Sequence, residues 1–303
     1  FIFIIVLIFN YSNLYAIENI KIILKVNEEI ITNIDIQNEY NYLVILNNDF
    51  KKIEKIEALK VAENSIIQEK IKKIEIEKSY NLNNELKILP GIIKNFYENV
   101  GAKNEEEFKN YLKKNNLSYA YIRKKLNIET TWNSLIYTRY NDQVKIDLKK
   151  LKETLLSQKS EQNSYNISEI LFDNDVGENV NEKFKKIKNS IEKNGFKNSA
   201  NLYSISESSK LGGKLGWINE SQLSKEINLN LKKIKVGEYT NPIIVPGGNL
   251  ILKLDEFKKI KNENLDIDKE LKILVNYERN KQLNQLSNIF FNKIKNNTQI
   301  YEL

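Results

Sequence analysis

The chain of 303 residues contains no histidine, no cysteine and no methionine, and only 3 prolines and 10 glycines. Without cysteine there is no disulfide, no thiolate metal site and no thiol nucleophile. Without histidine the commonest general base, the usual transition-metal ligand and the side chain that titrates near neutrality are all gone. Catalysis is confined to carboxylates, hydroxyls, lysine, arginine or the backbone, and neither a metal nor a cofactor is expected. Scarce proline and glycine favour long helices over strands and turns. The missing methionines include the initiator, so the reading frame is expected to begin upstream of Phe1.

What is present describes a soluble, globular chain: 41% of residues are apolar and 29% charged, and the length suits one large or two modest domains. The net charge of +7 raises the question of nucleic acid. The lysines, however, are spread along the chain and alternate with glutamates, as in Lys51–Lys60 and Glu69–Lys78. Arginine, preferred for bidentate phosphate and base contacts, occurs only at 123, 139 and 279. A solvated helix surface is the expected use of these charges, and no nucleic acid is expected as a partner.

Phe1–Phe9 is an unbroken apolar run, followed by the polar break Asn10–Asn13 and by Leu14-Tyr15-Ala16. A short apolar core, a break and a small residue describe a secretory signal over residues 1–16, cleaved to leave a chain starting near Ile17. The rivals are an uncleaved anchor, which needs roughly 20 apolar residues, and a buried strand. No stable membrane anchor is expected.

Ile20–Val26 and Ile30–Ile31 flank Asn27-Glu28-Glu29 and predict a hairpin. Thr32 and Asp35 have the spacing of a capping box. Helices are predicted over 35–46 and 53–79, the second burying Ile56, Ala62 or Ile66, Ile67, Ile71 and Ile74. Another opens at Asn84 and is bent or broken at Pro90-Gly91. Asn104 caps a helix whose Glu105–Glu107 compensate its dipole rather than hold a metal, since consecutive positions point apart. Ser118 caps a long helix burying Tyr119, Ile122, Leu126, Trp132 and Ile136, and a further helix covers 147–157.

From Gln158 the character becomes mixed. Strands are predicted at 166–172, 202–206 and 249–257, and helices at 179–194, ended by Gly195, and at 223–232. Gly212–Trp217 is a tight loop; with no G-K-(S/T) and no helix after it, it is not a phosphate cradle. Pro246-Gly247-Gly248 is a hairpin signal. A long helix over 266–295 and a short strand over 298–303 close the chain.

Five ordered segments then carry a resemblance. They are Ile167–Phe172, Phe196-Lys197, the GG-x-L-G-W loop Gly212–Trp217, the turn Val236–Ile243 and the strand Gly248–Leu254. Together they resemble the parvulin (PpiC-like) prolyl isomerases. The flanks resemble SurA-type chaperones at Val26–Asp35, Tyr121–Leu126, Tyr277–Arg279 and Ile300–Leu303. The resemblance implies an α+β protein: a mostly helical domain (17–162), an inserted parvulin-like α/β domain (163–259), and a C-terminal helix and strand (260–303) that pack back on the helical domain. Several relatives carry two parvulin units; this chain has one.

Rotation about an Xaa–Pro bond needs no covalent intermediate, only a site that binds the twisted amide better than the planar one. Active parvulins place two histidines at the floor of that site, and by position these fall on Glu169 and Leu250. A third polar position falls on Ser206, and the apolar proline pocket on Leu223 and Ile227. Glu169 and Ser206 either orient a substrate amide or are ordinary strand residues of a domain kept for binding. Trp217 reads as a core anchor under the glycine loop, with a ligand platform as its other reading. The resemblance implies a periplasmic chaperone, working without ATP, for unfolded or nascent exported polypeptides such as outer-membrane proteins, with a degenerate isomerase domain. An active prolyl isomerase is the alternative.

Overall fold

The computed structural model describes residues 20–156, 161–173, 179–261 and 266–303. The segment read as a secretory signal lies outside them.

The chain opens with strands β1 (Ile22–Val26) and β2 (Glu29–Thr32), paired antiparallel around a turn in which Asn27 takes a left-handed φ of 49°. Asparagine tolerates that conformation better than most residues. Thr32 caps α1 (Asn33–Leu46) by the expected box: its hydroxyl accepts from the Asp35 N–H at 3.2 Å, and its N–H donates to the Asp35 carboxylate at 2.8 Å. Helix α2 (Lys55–Glu77) packs along α1. It buries Ala58, Ala62, Ser65, Ile66, Glu69, Ile71, Lys72 and Ile76. Ile56 lies outside the packed face and is 75% exposed. Glu69 and Lys72, read as solvated, are buried, because they pair with charges on other elements.

Residues 81–88 are turns, and α3 begins only at Leu89 (Leu89–Asn99). Pro90 starts this helix rather than breaking it, since a first-turn N–H has no intrahelical partner to lose. Helix α4 (Glu105–Lys114) is capped by Asn104, whose side chain accepts from the Glu107 N–H at 2.9 Å. Helix α5 (Tyr119–Tyr140) is capped by Ser118, and α6 (Leu148–Leu156) follows. Leu89, Ile93, Phe108, Leu112, Ile122 and Leu126 form one buried cluster among α3, α4 and α5.

A four-stranded antiparallel sheet comes next, in the order β4-β3-β6-β5. Its members are β3 (Glu161–Phe172), β4 (Lys214–Asn219), β5 (Ile243–Val245) and β6 (Gly248–Lys261). One face is covered by α7 (Val180–Tyr203) through Ile170, Phe172, Ile187, Phe196, Ala200 and Ile251. Gly195, at φ 81° and ψ 163°, breaks the helix where the sequence ends it, and a second helical segment follows. The helix resumes as far as Tyr203, so the predicted strand at 202–206 does not form. Its place is taken by the end of α7 and a short 3-10 turn, Glu207–Leu211. The predicted loop 212–217 is loop only at its start: Gly212 and Gly213 make the turn, and Lys214 onward is strand. Ser224 caps a short α8 (Lys225–Leu231), leaving Leu223 just outside it.

Helix α9 (Ile267–Asn296) returns to pack on α5, α2 and α6. Trp132 of α5 stacks on Phe290 of α9 at 5.7 Å. The closing strand β7 (Ile300–Glu302) pairs antiparallel with β1, and Asn27 exchanges hydrogen bonds with the Gln299 backbone. The protein is thus α+β: a helical unit built from both ends of the chain, with the four-stranded unit inserted between. No helix among the described residues is long and apolar enough to cross a membrane.

Candidate functional site

The sheet face away from α7 carries the candidate site. Alternation along β3 directs Tyr165, Ile167, Glu169 and Leu171 to one side. Antiparallel register sets Glu169 opposite Leu252 and Leu171 opposite Leu250. Around them Ile218, Leu231, Ile243, Leu250, Leu252 and Leu254 are buried, with Leu223 and Ile227 half-buried against them. Leu223, Ile227 and Leu250, separated in sequence, therefore line one apolar wall.

Glu169 is the one ionisable side chain of β3 on this face between Ile167 and Leu171. Ser208 donates to its Oε1 at 2.9 Å. The Ser208 and Ser206 hydroxyls lie 2.6 Å apart, and Ser206 lies 3.1 Å from the Ser204 hydroxyl. Ser204 in turn accepts from the Leu171 N–H at 3.0 Å. A row of hydroxyls thus runs from the strand backbone to the Glu169 carboxyl. Burial raises the Glu169 pKa above the ordinary carboxylate value, against the lowering effect of the Ser208 and Ser206 hydrogen bonds. Ser208 has no counterpart among the positions that the resemblance implies; its sequence signal is the alternation Ser204-Ile205-Ser206-Glu207-Ser208, which sets three hydroxyls two apart.

The glycine turn fixes the floor. The Glu169 N–H donates to the Gly213 carbonyl at 2.8 Å, and the Gly213 N–H to the Ser208 carbonyl at 2.9 Å. A Cβ on Gly213 would stand 2.1 Å from the Glu169 carbonyl oxygen, and φ there is +79°. Only glycine lets this turn press so closely on the strand. Trp217 departs from the core-anchor expectation: it is 42% exposed, with the Lys258 ammonium 4.0 Å from the ring centroid. Strand alternation explains this, since its neighbour Ile218 takes the inward position. Trp217 therefore does not join the wall of Leu223, Ile227 and Leu250.

The chemistry available is that of a hydrogen-bonding carboxyl in an apolar trough. A protonated Glu169 can donate to a peptide carbonyl, an ionised one can only accept. Because the folded pKa is raised, the charged form destabilises the fold above that pKa, and the penalty fades as pH falls toward the unfolded value. Glu169→Gln is accordingly expected to raise stability at neutral pH, with the difference from the parent shrinking on acidification. Denaturant unfolding at two pH values checks this; a pH-independent difference contradicts it. Among the described residues no group of three or more acidic, histidine or cysteine side chains is arranged to hold a metal ion.

Residues 165–256 match the family model of the rotamases, described as the PPIC-type PPIase domain. The chain is 26% identical over 166 residues to the chaperone SurA of Pseudomonas aeruginosa, covering 50% of this chain and 39% of that protein. It is 43% identical over 53 residues to the chaperone SurA of Pseudomonas putida, covering 18% of this chain and 12% of that one. It thus spans well under half the length of these curated relatives. Among solved structures, one from a study of two SurA-like chaperones of Campylobacter jejuni aligns over 93% of this chain and 99% of its own, at 19% identity and a TM-score of 0.34. PrsA of Bacillus subtilis aligns over 90% of this chain and 92% of its own, at 19% identity and a TM-score of 0.29.

Proposed function

Starting from a PpiC-type parvulin-domain protein of SurA-like organisation, we propose that it is an ATP-independent chaperone of unfolded exported polypeptides whose parvulin unit binds prolyl segments but isomerises them poorly. The units are taken as 17–162, 163–259 and 260–303, with residues 1–16 directing export to the periplasm. The observation that carries the reading is the make-up of the floor: Leu250 gives an apolar wall where active parvulins carry a histidine, and the polar groups left are the Glu169 carboxyl and the Ser206 and Ser208 hydroxyls tied to it. Apolar side chains, with a carboxyl already engaged by neighbouring hydroxyls, suit binding of an extended segment better than stabilisation of a twisted amide. Client segments also fit an open groove of about 610 Å³ between α6 and α9, lined by Leu148, Leu271 and Val275 with Asp268, Lys272 and Asn276. Leu148 there is 56% exposed.

The test is suppression of aggregation of a denatured outer-membrane protein diluted from urea. The parent chain is expected to suppress light scattering near equimolar ratio, and Val275→Asp with Ile227→Asp to lose most of that effect. No suppression at stoichiometric excess sinks the reading. A second reading, an active prolyl isomerase, draws support from the hydroxyl row: Glu169, Ser206 and Ser208 provide hydrogen bonds that can act on a substrate amide.

A further inference from the structure

The turn that brings the hydroxyls to Glu169 has a second side. Ser206 and Ser208 serve the floor, while Glu207 and Lys210, from the same stretch, enter the helical unit. Lys72 of α2 donates to Glu207 at 2.7 Å and to one oxygen of Glu129 of α5 at 3.0 Å. The other oxygen of Glu129 accepts from Lys210 at 2.8 Å. Three of the four side chains are largely buried: Lys72, Lys210 and Glu129 are 4%, 17% and 23% exposed. Glu207 is half-exposed at 52%.

Amides tie the same turn from another direction. The Asn47 side chain, at the end of α1, donates to Asn201 at 2.7 Å and to Asn198 at 3.1 Å. Asn201 passes the contact on, donating to the Ser209 carbonyl at 2.7 Å. Asn198 donates to the Asp49 carbonyl at 3.1 Å. The turn is therefore held by α1, α2 and α5 on one side and by β3 on the other.

A buried ion pair does little for stability compared with apolar packing of the same volume, but it demands one geometry. At this junction the geometry it demands is that of residues 206–211. Movement of the turn reaches Glu169 twice, through the Ser208 hydroxyl and through the backbone bonds from Ser208 to Gly213 to Glu169. We propose that Glu129, Lys72 and Asn47 are positioning residues for the parvulin floor: by clamping the 206–211 turn they hold Ser206 and Ser208 against Glu169, so the helical unit sets how tightly the floor takes a prolyl peptide. The peptide clause rests on the function proposed above; the clamp itself does not.

The charged and titratable groups around Lys210 include Glu129, Glu207, Tyr42 and Glu39, together with Lys125 and with Lys72, which shares Glu129. Around Glu169 the titratable neighbour is Tyr277 of α9, beside the hydrogen-bonding hydroxyls of Ser206 and Ser208 from the turn. The experiment uses the full chain and the variants Glu129→Gln, Asn47→Ala and Lys210→Arg, with folding checked by circular dichroism. Three readouts are taken: hydrogen exchange of the Glu169 and Gly213 amides, the NMR titration of the Glu169 carboxyl carbon, and the affinity of the probe peptide succinyl-Ala-Leu-Pro-Phe-4-nitroanilide. Glu129→Gln and Asn47→Ala are expected to speed amide exchange and weaken the peptide by about 2- to 30-fold, the range over which coupled networks act. They also move the Glu169 titration, while the charge-retaining Lys210→Arg stays near the parent. If Glu129→Gln does not fold, Glu207→Gln, at the half-exposed end of the network, takes its place. Folded variants with unchanged exchange and an unchanged Glu169 titration overturn the proposal. A response of exchange and titration in a chain whose parent binds no peptide upholds the clamp and removes the peptide reading alone.

Discussion

Lys125→Met is expected to cost about 3–5 kcal/mol at neutral pH, the usual penalty for removing one partner of a buried ion pair. Lys125 stands between Glu39 and Glu69, with side chains 2%, 0% and 8% exposed respectively. Glu39 also accepts from the Ser65 hydroxyl at 2.6 Å and the Tyr121 hydroxyl at 2.8 Å, and the Lys125 ammonium lies 4.8 Å from the Tyr42 ring centroid. Without the cation, two carboxylates face each other in a dry core. Burial alone would raise the Glu39 pKa, but the charges of Lys125 and Lys210 and the hydrogen bonds outweigh it and hold the pKa below 4.5. A depressed carboxylate pKa contributes stability that is present above the unfolded value and lost as pH falls through the folded one. In Lys125→Met the sign reverses, because one carboxyl must take up a proton to stay buried, so mild acidification is expected to recover stability. Guanidinium unfolding at pH 7 and pH 5 reads both effects. The double variant Lys125→Met/Glu39→Gln is expected to recover part of the loss, a coupling that a double-mutant cycle isolates. A loss below about 1 kcal/mol, the scale of an exposed pair, contradicts the burial of this triad.

Trp132→Ala is expected to cost a further large amount, about 3–5 kcal/mol, as lost transfer energy plus the cavity left behind. Trp132 is fully buried; it stacks on Phe290, meets Phe291 edge-on at 6.3 Å, and donates its indole N–H to Ser287 at 2.9 Å. Every one of these partners lies on α9. The loss therefore falls on the joint that returns the C-terminal helix to the helical unit, and α9 and β7 are expected to lose hydrogen-exchange protection before α1–α4 do. Ser287→Ala, which removes a hydrogen-bond partner and leaves the ring stack, is expected to cost about 1 kcal/mol. Equal losses of protection throughout the chain would argue against α9 as a separable joint.

The parts of the fold that could be read from sequence are those with a local cause. Thr32, Asn104 and Ser118 each place a side-chain oxygen where a free helical N–H needs one, and the structure carries all three caps. Trp132, Ile122 and Ile136 recur at helical spacing and are buried. What could not be read has causes distant in sequence. Pro90 has the same local chemistry whether it starts or breaks a helix, and nothing at Gly195 itself tells that a second helical segment, rather than a strand, follows the break. Glu69, Lys72 and Glu129 look like solvated helix charges because their partners, Lys125, Glu207 and Lys210, are 56, 135 and 81 residues away. At the floor, Glu169, Leu250, Leu223 and Ile227 were reached by resemblance, and the structure groups them on one face. Ser208 and the clamp behind it belong to this chain's own packing.

Binding without rapid turnover at the parvulin floor is tested most directly by exchange NMR on an Xaa–Pro peptide mixed with the full chain. One sample reports contact, through the methyl groups of Leu223, Ile227 and Leu250, and the cis–trans rate of the peptide. The expected result is methyl shifts on that wall with isomerisation within about tenfold of the uncatalysed rate, whose time constant is tens to hundreds of seconds. Isomerisation faster by several orders of magnitude, or a peptide that leaves those methyl groups unmoved, contradicts it.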